Sequence, residues 1–143
     1  MNALELKARR EALGLSKDAL AVTLDVRDKS VERWEDGKNP PRDWGWIDAA
    51  LTWLEEYRER LVVGMMADAV ELHEEAGVAR LLTYADRRSF RRSLAEGGAL
   101  ELGEGVAVLP VELHRVAAAE AARRLRAEHG ICVRLEDVAR PDG

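Results

Sequence analysis

The sequence is poor in cysteine, proline and aromatic residues, and it has no excess of positive charge. Its one cysteine, Cys132, has no partner for an internal disulfide, so no cross-link substitutes for a hydrophobic core. That usage leads to the expectation of a reducing, cytoplasmic setting. Four prolines leave long stretches in which helices can run unbroken. Aromatics make up only 5% of residues, while Ala, Leu, Glu and Arg dominate, which favours helix over sheet. No apolar run approaches the roughly 20 residues that cross a membrane. The first residues, MNALELKARR, are charged from the start and do not resemble a secretory signal. The formal net charge of −5 argues against binding to nucleic acid through bulk charge. What is present, 47% hydrophobic and 34% charged residues, suffices for one ordinary domain or two very small ones.

The charge is uneven. Residues 1–42 hold four Lys and five Arg against four Asp and four Glu, a net of +1, so the remainder carries −6. This first stretch also has the tightest punctuation. Leu4, Leu6, Ala8, Ala12 and Leu13 recur among charged residues, and Gly14 ends that helix. Ser16 is an N-cap for a second helix carrying Ala19, Leu20 and Leu24. Asp25-Val26-Arg27 is a break. A third helix is expected from Asp28 to Glu35, with Val31 and Trp34 on one face, stopped by Gly37 and the loop Lys38-Asn39-Pro40-Pro41.

Beyond residue 43 the pattern lengthens. Ile47, Ala50, Leu51, Leu54, Leu61 and Met65 form an apolar stripe, widened by Val62, Ala69, Leu72 and Ala76. It predicts one long helix over about 44–76, or two joined end to end at Gly64. Ala79 to Tyr84 reads as a strand, and Asp86 caps a short helix through Phe90 and Leu94. Gly97 to Gly105 reads as loop. Pro110 opens a helix from Val111 to Glu128, and Ile131, Val133 and Leu135 alternate as in a half-buried strand. Two strands joined across helices predict a parallel pair. The expected fold is mainly α: an N-terminal domain over 1–43, the long helix, and a small α+β (β-α-α-β) module over 77–143.

The stretch Leu6 to Pro41, LKARREALGLSKDALAVTLDVRDKSVERWEDGKNPP, supplies Gly14-Leu15-Ser16, Ala19-Leu20-Ala21, Leu24, Val26, Val31, Trp34-Glu35, Gly37 and Pro41 in a fixed order. That pattern resembles the helix-turn-helix of the Cro/λ-repressor (XRE) family. The resemblance implies that the third helix enters the major groove of double-stranded DNA. By position, Asp28, Lys29, Ser30 and Arg33 are then the base-edge readers. Lys17, which stands at the family's Gln after the Ser cap, is implied as a phosphate contact, together with Arg27, Lys38, Asn39 and Arg42. Two positions depart from the pattern. Asp25 replaces the usual turn Gly, and Asp tolerates the left-handed conformation. Arg27 replaces the usual N-cap Ser, so Asp28 is as good a candidate for capping as for reading a base.

A second resemblance rests on Arg33-Trp34-Glu35, Tyr84, and Leu109-Pro110 with His114-Arg115 and Ala117. It is similar to bacterial repressors that include anti-CRISPR-associated autoregulators. It implies that the second half is a dimerisation domain. Independently of it, the stripe of Ile47, Leu51, Leu54, Leu61 and Met65, with Trp46 and Trp53 seven apart beside it, is wider than one tiny domain needs and reads as dimer interface, with packing against the helix from Val111 to Glu128 in the same chain as the alternative. The expected function is autoregulatory repression by a homodimer on a palindromic operator. A protein-interaction module, such as an antitoxin or a partner of RNA polymerase, is the alternative.

No constellation for catalysis, metal or cofactor stands out. His73, His114 and His129 lack the spacing of zinc ligands. Cys132 reads as a small core residue rather than a nucleophile. The run Arg87, Arg88, Arg91 and Arg92 reads as a solvated helix face, with a further phosphate or RNA contact as the alternative.

Overall fold

The computed structural model describes residues 1–98 and 100–139. Its elements run α1 (Ala3–Ala12), α2 (Lys17–Leu24), α3 (Ser30–Glu35), α4 (Gly45–Ala76), β1 (Arg80–Thr83), α5 (Arg87–Glu96), α6 (Val111–His129) and β2 (Arg134–Asp137). The fold is mainly helical with a small two-stranded sheet, as the helix-rich composition leads one to expect. Two compact units emerge. The first holds Met1–Glu56 and Leu100–Leu113, and the second Tyr57–Ala99 and His114–Gly143. Boundaries expected at residues 43 and 77 lie at the two ends of α4, whereas this division passes through that helix. The physical reason is that Ile47, Ala50, Leu51 and Leu54 are buried with the first unit, while Val62 and Ala69 belong to the core of the second.

In the first unit α1 and α2 each have a named start and stop. Asn2 caps α1 and forms a reciprocal capping box with Glu5, the two bonds measuring 3.0 and 2.7 Å. The helix ends as the spacing predicts. Gly14 takes φ +75°, Leu15 N–H bonds back to Arg10 C=O, and Gly14 N–H to Glu11 C=O. Ser16 caps α2 by accepting from Ala19 N–H at 3.0 Å. Asp25 closes α2 at φ 53°, ψ 47°, so the aspartate does adopt the left-handed turn. Leu6, Leu13, Leu20, Val31, Ile47, Leu51 and Leu54 make the core, each fully buried.

Residues 100–113 return over the start of α4, and two glycines set how closely. A Cβ on Gly103 would lie 2.4 Å from Trp53 Cγ and Cδ1, and one on Gly105 would lie 3.2 Å from the Trp46 ring. The loop is therefore a packing surface laid flat on two tryptophans. Ala107 N–H fastens it further by donating to Thr23 C=O at 2.8 Å. Trp46, Trp53 and the apolar stripe at Ile47, Leu51 and Leu54 are thus engaged inside the chain. The stripe offers no surplus surface there, contrary to the expectation of dimer interface material at this end of α4. Gly103→Ala is expected to lower stability by about 1–3 kcal/mol, because neither the backbone nor the root of an indole ring can yield cheaply. Thermal melting checks this, and an unchanged midpoint would mean that the loop lifts without penalty.

In the second unit β1 and β2 pair in parallel, with Leu81 opposite Leu135 and Leu82 opposite Glu136. Leu81 and Ala79 pack with Val62 and Ala69 of α4 and with Ala117, Ala121 and Leu125 of α6. The second strand is shorter and later than the alternation predicts. Ile131 and Val133 precede it, and Leu135 inside it is 46% exposed. Cys132 is exposed, which corrects its reading as a core residue: its neighbour Ile131 turns to the core and leaves Cys132 outward. α4 is one continuous helix of 32 residues through Gly64.

Candidate nucleic-acid interface

The surface of the first unit that collects the expected DNA-contacting residues is built on α2 and α3. Helix α3 spans under two turns and has almost no stability of its own. Its inner face holds it in place. Val31 is fully buried, and the half-buried Trp34 meets Trp46 edge-on with ring centroids 6.2 Å apart. Glu35 is the third anchor. Its carboxylate receives two bonds from Arg10 on α1, at 2.7 and 2.9 Å, with the side chains 2% and 8% exposed. Arg10 also donates to Leu15 C=O at 2.7 Å. The bidentate bond to Glu35 raises the guanidinium pKa further, although desolvation by burial opposes it.

With Val31, Trp34 and Glu35 turned inward, the helical repeat turns Lys29, Glu32, Arg33 and Asp36 outward. Lys29 and Arg33 are exposed. Ser30 is half-buried at the first residue of the helix. Arg27 and Asp28 are exposed in the turn before it, and Arg27 C=O accepts from Ser30 N–H at 2.9 Å. The helix starts two residues later than the pattern predicts. Its N-cap is Lys29, with no side-chain capping bond, so Asp28 does not cap it. Among the described residues no hydrogen bond or ion pair engages the Asp28 side chain.

A shallow depression of about 270 Å³ joins the starts of α2 and α3, lined by Ser16, Lys17, Asp18, Asp28, Lys29 and Glu32. It brings Lys17 beside Asp28 and Lys29. Lys38, Asn39 and Arg42 are exposed on the loop after α3 and do not line it. Asp18 and Glu32 are absent from the residues expected at the site, and with Asp28 they set three carboxylates against the two lysines of the depression. Lys29 Nζ lies 3.6 Å from a Glu32 carboxylate oxygen, an exposed i, i+3 pair that a stronger anion can displace. Arg10 and Glu35 are equally absent as partners, because residues 25 apart share no periodic signal.

Behind this surface α1 is tied to α4. Arg9 bonds to Glu55, to Thr52 Oγ1 at 3.0 Å and to Asp48. The arginine run of the second unit sits on α5. Arg87, Arg88, Arg91 and Arg92 are exposed while Phe90 is buried, a cationic outer face over an apolar inner one.

A family model described as Aca2/YdiL-like matches residues 1–109. The chain belongs to the Aca2/YdiL-like family. This is a family of transcriptional regulators, and it agrees with the resemblance to anti-CRISPR-associated autoregulators. The matched span takes in every residue expected to meet DNA, and Trp34-Glu35 and Tyr84 as well. Pro110, His114, Arg115 and Ala117, which the second resemblance also used, lie beyond it. A search of curated proteins finds no match. For an Aca2/YdiL-like regulator a DNA partner is the natural one, and among the described residues no helix is long and apolar enough to cross a membrane.

Proposed function

We propose that α2, the left-handed turn at Asp25 and α3 form a helix-turn-helix of the Cro/λ-repressor kind. The protein is then a repressor that binds a palindromic operator as a homodimer and regulates its own transcription. It acts by binding, not by catalysis. The observation that carries this reading is the two-sidedness of α3. Val31 and Glu35 are buried and anchored, and Lys29 and Arg33 are presented to solvent on the opposite side. A rigid short helix with an exposed cationic face suits a major groove.

Lys29 and Arg33 suit guanine O6 and N7, and Asp28 suits cytosine N4 as an acceptor, with Ser30 beside them. Lys17, Arg27, Lys38, Asn39 and Arg42 serve the phosphates. The carboxylates of Asp18, Asp28 and Glu32 weaken attraction to any duplex regardless of sequence, which favours reading over bulk binding. The α+β second half would supply the dimer contacts.

The test uses a duplex selected by the protein from a random-sequence pool. Lys29→Ala and Arg33→Ala should each cost about 1–3 kcal/mol of binding and relax preference at one base position. Lys17→Ala, Lys38→Ala and Arg42→Ala should instead weaken all duplexes alike and lower the log–log salt slope by about one unit. Parental affinity and preference in both α3 variants would remove α3 as the reader.

A further inference from the structure

Gly64 stands in the middle of α4, and nothing in the chain's own packing asks for it. A Cβ built there meets no atom within 4 Å. Glycine is the poorest helix former after proline, so its place in a 32-residue helix calls for a reason outside the chain. One turn before it on the same face is Arg60, and one turn after it is Asp68. All three line a groove of about 440 Å³ in the second unit, with Leu61 and Met65 of α4 and Leu82 of β1. Neither Arg60 nor Asp68 has an ion-pair partner among the described residues; the Arg60 guanidinium lies only over the Tyr57 ring, 5.9 Å from its centroid. Leu82 is 44% exposed, and Leu61 and Met65 are half-buried.

We propose that this face docks a second copy of the chain, α4 crossing its twofold mate in antiparallel at Gly64. The proposal rests on the homodimer reading above and gives it a site. A twofold axis at Gly64 sets each residue n places before it opposite the residue n places after it on the mate. Arg60 then faces the partner's Asp68, and Asp68 faces the partner's Arg60. Both charges lie about 6 Å along the helix from the crossing point, so one symmetry operation satisfies all four. The i±4 ridge that carries Arg60, Gly64 and Asp68 is the ridge used in the commonest helix crossing. The missing side chain at its centre lets the two backbones approach. Leu61, Met65 and Leu82 of each copy fill the groove of the other. A partner of different sequence would have no reason to match a charge pattern that is complementary to its own twofold image.

The experiment is a dilution series of the full chain in the analytical ultracentrifuge, with circular dichroism to confirm folding. Arg60→Asp or Asp68→Arg alone sets like charges opposite one another twice per dimer and should raise the dimer Kd by about a hundredfold. The double variant R60D/D68R recreates both pairs in reverse and should return the Kd to within about tenfold of the parent. Single variants that keep the parental Kd overturn this interface and leave the homodimer standing. Weakened single variants that the double variant does not rescue also overturn it. A parental chain that is monomeric at micromolar concentration overturns both the interface and the dimer reading.

Discussion

Glu35→Ala and Arg10→Met should each cost about 3–5 kcal/mol of stability, a large share of what a domain of this size possesses. The size of the effect comes from what is left behind. Arg10 and Glu35 are 8% and 2% exposed, so removing either leaves a full charge in a site that water barely reaches. Removing Arg10 also orphans the Leu15 carbonyl, which accepts from it at 2.7 Å. The double variant Arg10→Met with Glu35→Leu should recover most of the loss, since an apolar pair carries no desolvation penalty. Urea unfolding of the four proteins checks this; single variants within 1 kcal/mol of the parent would show that water solvates the pair after all. With α3 as the proposed reader, DNA affinity should fall in the single variants too, because Glu35 holds α3 to α1.

The helices of the first unit are legible in the sequence because their ends are written in local chemistry. The Ser16 cap, the Gly14 stop and the left-handed Asp25 each depend on residues within five positions. The start of α3 is not legible, for the same reason in reverse. Its N-cap, Lys29, makes no side-chain capping bond, and the helix is held instead by the burial of Val31 and the bonds to Glu35. Exposure of Lys29 and Arg33 follows from the inward demand of Val31 and Trp34. The Arg10–Glu35 pair and the loop laid on Trp46 and Trp53 both join residues far apart in the chain, and no periodicity announces either.

In the second unit, tertiary packing overrides the local pattern. Ile131, Val133 and Leu135 alternate as a strand should, yet only Arg134–Asp137 pairs with β1. Ile131 is drawn instead into the core with Leu125 and Ala121 of α6. The long stripe of α4 is visible in the sequence as a stripe. What the tryptophans beside it pack against is not, because Gly103 and Gly105 lie some fifty residues further along the chain. The proposed partner surface rests on a residue that the chain's own packing does not use, Gly64. In the sequence a glycine there reads only as a weak point in a helix.

Between pH 6.5 and 4 the protein should lose on the order of 3 kcal/mol of stability through His114 alone. His114 begins the second unit's share of α6, half-buried between Thr83, Tyr84 and Phe90. Its Nδ1 lies 2.9 Å from Thr83 Oγ1, and its ring meets Tyr84 edge-on at 4.9 Å. Burial pulls its pKa down from 6.5 to about 4, because the imidazolium would lose its water. In the unfolded chain the same ring takes a proton near its ordinary pKa. Over that window the unfolded state therefore binds more proton, and stability falls as pH falls. The loss is complete once the pH lies below the folded value. Glu120 is a strongly shifted carboxylic acid of this unit. Arg123 and Arg124 hold its carboxyl down at about 2, so its share of stability is lost at lower pH, between its ordinary value and that one. The two windows separate the causes. His114→Gln can keep a hydrogen bond to Thr83 without gaining a proton, and should flatten the curve between pH 6.5 and 4.5. Urea unfolding at half-unit steps of pH measures both proteins. A parental curve that is already flat there, or a Gln variant with the parental slope, would show that His114 takes its proton without penalty in the folded state.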